Sequence, residues 1–239
     1  MRFIIHEQSY ELPLASGMWR YFRDSRPTGA VEKWRLTNAA DGFRFLRVDL
    51  DARAAESGRS YLYHLTMDRL GNPIQLKYRF WDLGFEIIGT VLMEEDAIIV
   101  TREIKGQRFE DVLPLPDGYV FWYPASSGLG LLANLALKKT DSAVTLRTQS
   151  GSPETQMSPF ITSLELKRGK CKKLEIMSEL KLTCPLAISW QDQQRTIWID
   201  ENNWPLMMER SDGLNAIETR YIQYQRITEP GSRSNEIRS

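Results

Sequence analysis

Apolar and polar residues alternate with a period of two over most of this chain. Tyr61, Tyr63, Leu65 and Met67 are followed after a turn by Ile74, Leu76, Tyr78 and Phe80, with Gln75, Lys77 and Arg79 in between. Phe43, Phe45, Val48 and Leu50 lie among Arg44, Arg47 and Asp49, and Leu174, Ile176, Leu180 and Leu182 alternate with charged residues. Leu186, Ile188 and Trp190 keep the same step. Each segment has one face for a core and one for water, as antiparallel strands do. Asp41-Gly42, Gly71-Asn72-Pro73, Glu94-Glu95-Asp96, Lys105-Gly106, Pro116-Asp117-Gly118, Arg168-Gly169-Lys170, Glu201-Asn202-Asn203 and Asp212-Gly213 separate the segments. Such spacing predicts an antiparallel meander of roughly a dozen strands.

The stretch Ser126–Lys139 breaks this period. It is apolar at nearly every position and predicts a helix over about 127–138, with Ser126 or Ser127 as its cap and Lys138-Lys139 at its end. Gly128 and Gly130 weigh against it. A helix that is apolar all round needs a concave sheet to lie in. The expected fold is therefore mainly β: a large curved antiparallel sheet, or half-open barrel, wrapped around one short central helix. It spans residues 1–227 as a single domain, followed by a polar, disordered tail over 228–239. The stretch from Leu65 to Arg79 echoes that from Trp198 to Arg210, with Asp at a strand end (Asp68, Asp200) and Pro five residues on (Pro73, Pro205). The echo suggests two similar halves, about 29–125 and 140–226. A turn explains both aspartates better than a catalytic pair does.

Composition narrows the functional classes. The 239 residues carry 31 Lys+Arg against 31 Asp+Glu, and 42% are hydrophobic. This excludes a chain disordered throughout and disfavours a nucleic-acid binder. The N-terminal apolar run Phe3-Ile4-Ile5 is too short for a leader, and no stretch matches a membrane-spanning helix, so the expected compartment is the cytoplasm. There, Cys171 and Cys184 read better as free buried thiols than as a disulfide.

Candidate chemistry is sparse. His6 and His64 are the two histidines, no Cys or His has metal-ligand spacing, and His64 falls on the polar face of its strand. Ser126-Ser127-Gly128 lacks the nucleophile-elbow pattern, and Gly128-Leu129-Gly130 lacks the rest of a phosphate loop. No catalytic residue, metal or cofactor is assigned. Lys167–Lys173 reads as a basic hairpin tip. The aromatic and Met residues of the strands and turns stand out, because a curved sheet with one helix leaves a concavity to line. The candidate ligand-binding residues are Trp122, Leu129, Leu132, Phe160, Trp198, Met207 and Met208, with Trp204 near the mouth.

The segment Ser158-Pro159-Phe160-Ile161-Thr162-Ser163-Leu164, then Gln191, Gln194 and Ile197-Trp198-Ile199-Asp200, resembles the C-terminal half of a glycolipid-binding family of bacterial proteins. The run from Trp198 to Arg210 also looks like the last hairpin of β-domains related in shape to the lipoprotein carrier LolA. The resemblance covers about residues 158–226 and departs from the family at Ile161 and Ser163. It implies a curved sheet around a helix with an apolar cavity, and no catalytic residue. The leading expectation is non-catalytic binding of an apolar or amphipathic ligand, a lipid or glycolipid. The alternatives are a small-molecule enzyme using carboxylates among Asp68, Glu86, Glu103, Asp200 and Glu209, or an assembly protein forming a homodimer through sheet edges.

Overall fold

The computed structural model describes residues 2–39, 41–82, 84–135, 142–148, 152–176, 178–201 and 203–224. The chain enters at β1 (Leu12–Arg23) and runs up and down through β2 (Arg26–Asn38), β3 (Arg44–Asp51) and β4 (Ser60–Met67). It continues through β5 (Pro73–Asp82), β6 (Phe85–Met93), β7 (Ala97–Ile104) and β8 (Gln107–Pro114). An insert follows, made of β9 (Val120–Phe121), α1 (Ser126–Leu135), β10 (Ser142–Leu146) and β11 (Pro159–Ser163). The chain returns through β12 (Glu165–Arg168), β13 (Lys172–Ile176), β14 (Glu179–Trp190), β15 (Gln193–Ile199), β16 (Pro205–Arg210) and β17 (Leu214–Gln223).

The main sheet has the order β12-β14-β15-β16-β17-β1-β2-β3-β4-β5-β6-β7-β8, and β9, β10 and β11 form a second, three-stranded sheet. The fold is mainly β with one short helix, as the alternation predicts. The two arms of the main sheet are joined where β17 pairs with β1, so that Met18 lies opposite Arg220. Among the described residues, β8 does not pair with the β12–β14 end, and the sheet is not a closed barrel. Both arms nevertheless touch the same insert. Tyr78 of β5 donates to the Met157 carbonyl at 3.3 Å, Arg102 of β7 donates to the Gln156 carbonyl at 2.9 Å, and the Trp190 ring at the end of β14 lies 5.3 Å from Trp122. A sheet whose two arms reach one insert must curve around it.

Strand register explains the inner face. Directly paired residues point to the same side. One inner row runs from Glu218 on β17 through Trp19, Glu32, Leu50, Tyr61, Phe80 and Ile87 to Ile104 on β7. The next runs through Gly17, Trp34, Val48, Tyr63, Tyr78 and Gly89. Two glycines make room for this row's largest rings: a Cβ on Gly17 would sit 2.5 Å from the Trp34 indole, and one on Gly89 would sit 2.2 Å from the Tyr78 ring. Trp34 also packs on Trp204 and Tyr221, with ring centroids 4.6 and 6.0 Å away.

The outer face departs from expectation. Residues 2–11 lie across it and are held by charge. The Arg2 backbone and guanidinium donate to Asp49 at 2.7 and 2.8 Å, and Arg47 donates to both Glu11 oxygens at 2.6 and 2.8 Å. Arg47 and Glu11 are fully buried. His64, expected in water, is buried beneath this segment and stacks on Phe45. Burial, with Arg47 and Lys77 nearby, pushes its pKa down to about 4. Alternation alone cannot reveal that a distant segment covers a polar face.

Further corrections concern the second arm. Cys171 and Cys184 are joined in a disulfide rather than left as thiols. The pairings of β12 with Leu186–Ser189 and of β13 with Glu179–Thr183 make Glu165–Ile176 one interrupted strand, with the two cysteines opposite each other at the interruption. The basic run 167–173 therefore flanks that interruption, and the hairpin turns at Ser178 instead. The helix begins at Ser126 and is described to Leu135; the rest of the range expected for it, and the tail 228–239, lie outside the described residues.

The row Glu218–Trp19–Glu32 buries two carboxylates completely. Glu218 accepts from the Met18 amide at 2.7 Å and from Trp34 Nε1 at 3.2 Å, yet burial, reinforced by the Glu32 charge, pushes its pKa up to about 8. Its ordinary value is 4.5, so between these values the folded chain binds the extra proton and stability falls as pH rises. His64 acts in the opposite sense, its contribution being lost as pH falls below its ordinary value of 6.5 towards 4. Between pH 6.5 and 8 the Glu218 effect stands clear of it. The melting temperature should drop over that window in the wild type, and Glu218→Gln should flatten the drop. An unchanged slope in the variant would refute the assignment.

Candidate functional site

Turns of an antiparallel meander alternate between its two ends. The β1–β2, β3–β4, β14–β15 and β16–β17 connections gather at one end of the sheet, where they meet the start of α1 and the strands β10 and β11. Between them lies a cleft of about 1300 Å3. Tyr21, Tyr61, Trp122, Leu129, Phe160 and Trp190 give it aromatic and aliphatic walls. Arg23, Arg26, Arg59, Arg147, Arg195 and Arg210 also line it, against the acids Asp24, Glu56 and Asp192.

One buried carboxylate holds the insert over the sheet and so makes the cleft. Glu32 projects from the inner face of β2 into the first turn of α1. It accepts from the backbone amides of Ser126 and Ser127 at 3.0 and 2.8 Å, from the Tyr21 hydroxyl at 2.5 Å and from the Ser127 hydroxyl. Ser126 Oγ lies 2.8 Å from the Tyr21 oxygen, and Tyr123 donates to Ser127 Oγ at 2.9 Å. Four donors satisfy the charge where the helix has unpaired amides and the positive end of its dipole. The expected serine cap is thus replaced by a glutamate 94 residues away in sequence. The phenol pKa of Tyr21 is raised, by burial and by the Glu32 charge beside it. The two helix glycines also find their reason here. A Cβ on Gly128 would lie 2.0 Å from the Tyr123 carbonyl oxygen, and one on Gly130 would lie 2.4 Å from Pro205. Gly128 lets the helix fold back against the turn that leads into it, and Gly130 lets it seat closely on β16.

The arginines fall into two groups. Arg59 donates to Asp82 at 2.9 Å, and Arg210 and Arg23 share Asp212 at 2.8 and 3.5 Å. Arg26, Arg147 and Arg195 have no carboxylate bonded to them among the described residues. Arg195 donates to the Gln194 carbonyl and to Gln193 Oε1 and lies over the Trp190 ring at 5.2 Å. Arg147 lies over Phe160 at 4.7 Å.

Of the residues read from the sequence, Trp122, Leu129, Phe160 and Met208 come together in this cleft, whereas Leu132, Trp198 and Met207 do not line it. Leu132 is fully buried in the core. Trp198 and Met207 pair with each other and, through Ile217, with Arg20, on the face of the sheet opposite to the paired row Ile197, Met208, Ala216 and Tyr21. Trp198 donates to Glu209 at 2.9 Å, with Lys172 over its ring. Trp204 is at the other end of the sheet, stacked on Tyr221.

The echoed aspartates are turn acceptors. Gly71 and Asn203, each three residues after its aspartate, donate to the carbonyls of Asp68 and Asp200, and both have positive φ. The Asn72 and Trp204 amides donate to the aspartate Oδ1 atoms at 2.8 and 2.7 Å, and each ladder shifts register one residue before the turn. Burial raises the Asp68 pKa, but hydrogen bonds from Asn72, Leu70 and Gly71 outweigh it and hold the carboxyl below its ordinary value. Both turns lie at the end of the meander away from the cleft, so neither carboxylate serves it.

Sequence reasoning missed Glu32 and the arginines. The available signal for Glu32 was a carboxylate at the inner-face parity of Ala30, Trp34 and Leu36. Among the described residues no helix is long and apolar enough to cross a membrane, and no three His, Cys, Asp or Glu side chains cluster as metal ligands. The chain matches no family model, no curated protein and no solved structure.

Replacing Glu32 by Gln removes the charge from all four bonds and from the helix dipole. The expected loss is about 2–3 kcal/mol of unfolding free energy in urea titration. In a double-mutant cycle with Ser127→Ala the two losses should be strongly non-additive; additive losses would show that the contact does not join sheet to helix.

Proposed function

We propose that this chain binds an apolar or amphipathic molecule, of lipid or glycolipid class, without catalysing a reaction on it. The observation that carries the reading is the cleft itself. Its volume exceeds the roughly 300–1,000 Å3 of a site for a drug-sized ligand. Aromatic and aliphatic side chains supply its walls, and polar, charged groups stand at its rim. Burial of a ligand's chain against those walls contributes roughly 25 cal/mol per Å2 of apolar surface, the usual driving term for such binding. Catalysis has less support, because Asp68 and Asp200 are occupied in turns and Glu209 holds Trp198. An assembly role through the edges at β8 and β12 has only the free edges themselves in its favour. The Cys171–Cys184 disulfide favours an oxidising compartment over the cytoplasm expected from the N-terminal residues.

The test is uptake of a neutral fluorophore, N-phenylnaphthylamine, whose emission rises in apolar surroundings. Ala125→Trp fills the cleft from the turn before α1, and Phe160→Ser roughens its wall; both residues are only partly buried. Each should weaken uptake at least about tenfold, equivalent to about 1.4 kcal/mol, with little change in melting temperature. Unaltered uptake in both variants would locate the apolar site elsewhere and overturn the reading.

A further inference from the structure

Resting on that reading, the register of β15 and β16 narrows the ligand class. Arg195 lies directly opposite Arg210 on adjacent antiparallel strands. Like charges in this relation destabilise a sheet, and these two lie on the cleft side. Asp212 is hydrogen-bonded by Arg210 and Arg23 and reaches Arg195 only as a more distant charge, whereas the hydrogen bonds of Arg195 go to the neutral oxygens of Gln193 and Gln194. Arg195 is half-buried, while the acids that line the same cleft, Asp24, Glu56 and Asp192, are exposed at its rim. Its guanidinium lies over the Trp190 ring, and Nη1 and Nη2 each keep a second hydrogen beyond those given to Gln194 and Gln193. Arg147 repeats the arrangement over Phe160 at another wall. A sheet gains nothing from a half-buried cation set between a second cation and a tryptophan with no carboxylate bonded to it. An oxyanion supplies the missing counter-charge, and guanidinium binds carboxylate and phosphate with paired hydrogen bonds.

We infer that the cleft selects amphiphiles with an oxyanion headgroup, a carboxylate or a phosphate, held at the Arg195–Arg210 pair with the apolar chain against Trp122, Leu129 and Phe160. Burial and the neighbouring Arg210 lower the Arg195 pKa to about 10, which still leaves it charged at neutral pH. A neutral sugar headgroup would leave that charge unanswered, so the inference favours an anionic lipid over an uncharged glycolipid. Binding should also weaken as salt is raised.

The test displaces N-phenylnaphthylamine from the full chain with four probes that share one alkyl chain: dodecanoate, dodecyl phosphate, dodecanol and dodecyl maltoside. The two anions should displace it at concentrations at least about tenfold below the neutral pair, the effect of one charge-assisted bidentate contact. The better of the two identifies carboxylate or phosphate as the natural headgroup. Arg195→Gln should remove the preference while leaving dodecanol binding intact, and its melting temperature should not fall, because the like-charge pair is relieved. Arg147→Gln, at an exposed position, gives an independent reduction of the same preference. Equal displacement by all four probes, or tightest binding of dodecyl maltoside, would overturn this inference and leave the amphiphile-binding reading standing. Failure of every probe to displace the fluorophore would overturn both.

Discussion

The structure depends on a carboxylate buried where a β-sheet meets the start of a helix. Glu32 sits on the inner face of the sheet, fully removed from water, and a buried charge is tolerated only when its lone pairs are filled. The first turn of α1 fills them with two amides and a hydroxyl, and Tyr21 adds another. The helix end gains as much, since its free amides and positive dipole receive a fixed anion. This reciprocity fixes α1 at one position over the sheet, and that position determines what remains open. Tyr21 and Ser126 belong both to the network and to the cleft wall, so the anchor and the site are contiguous.

Around this anchor the two faces of the sheet are built on different principles. The inner face is filled by large rings, and the glycines at 17 and 89 remove side chains where Trp34 and Tyr78 need the room. The inner face also buries Glu32 and Glu218, whereas on the outer face residues 2–11 bring Glu11, together with backbone carbonyls, to the buried Arg47. The chain's two arms meet at β17 and β1, so the sheet is continuous across a pairing of residues some two hundred positions apart. Toward the cleft this economy breaks down: Arg195 and Arg210 are adjacent, and a single aspartate answers Arg210 and Arg23. Departures from local consistency concentrate at functional or strained sites.

The period-two alternation made the strands legible, and most turns fall where Gly, Asp, Asn and Pro cluster. The Asp68 and Asp200 hairpins were legible as turns, because an aspartate accepts from turn amides and a proline opens the return strand where no ladder donor is needed. Four of the seven candidate lining residues reached the cleft. Trp198 and Met207 lie on the other face for one reason: hydrophobic character alone does not give parity, and a one-residue step reverses the face of a strand. The β17–β1 pairing, the cover over His64 and the Glu32 anchor were illegible because each joins residues distant in sequence. The disulfide was misjudged because compartment was inferred from the N-terminus, whereas register alone places Cys171 against Cys184.

The proposed occupant of the cleft beside the start of α1 is an amphiphile. Native mass spectrometry of the purified chain, followed by denaturation and organic extraction, tests it directly. A population should carry an excess mass of a few hundred daltons that leaves with denaturation and extracts as an anionic lipid. A bare chain mass in every preparation, including after incubation with total lipid extract, would contradict it.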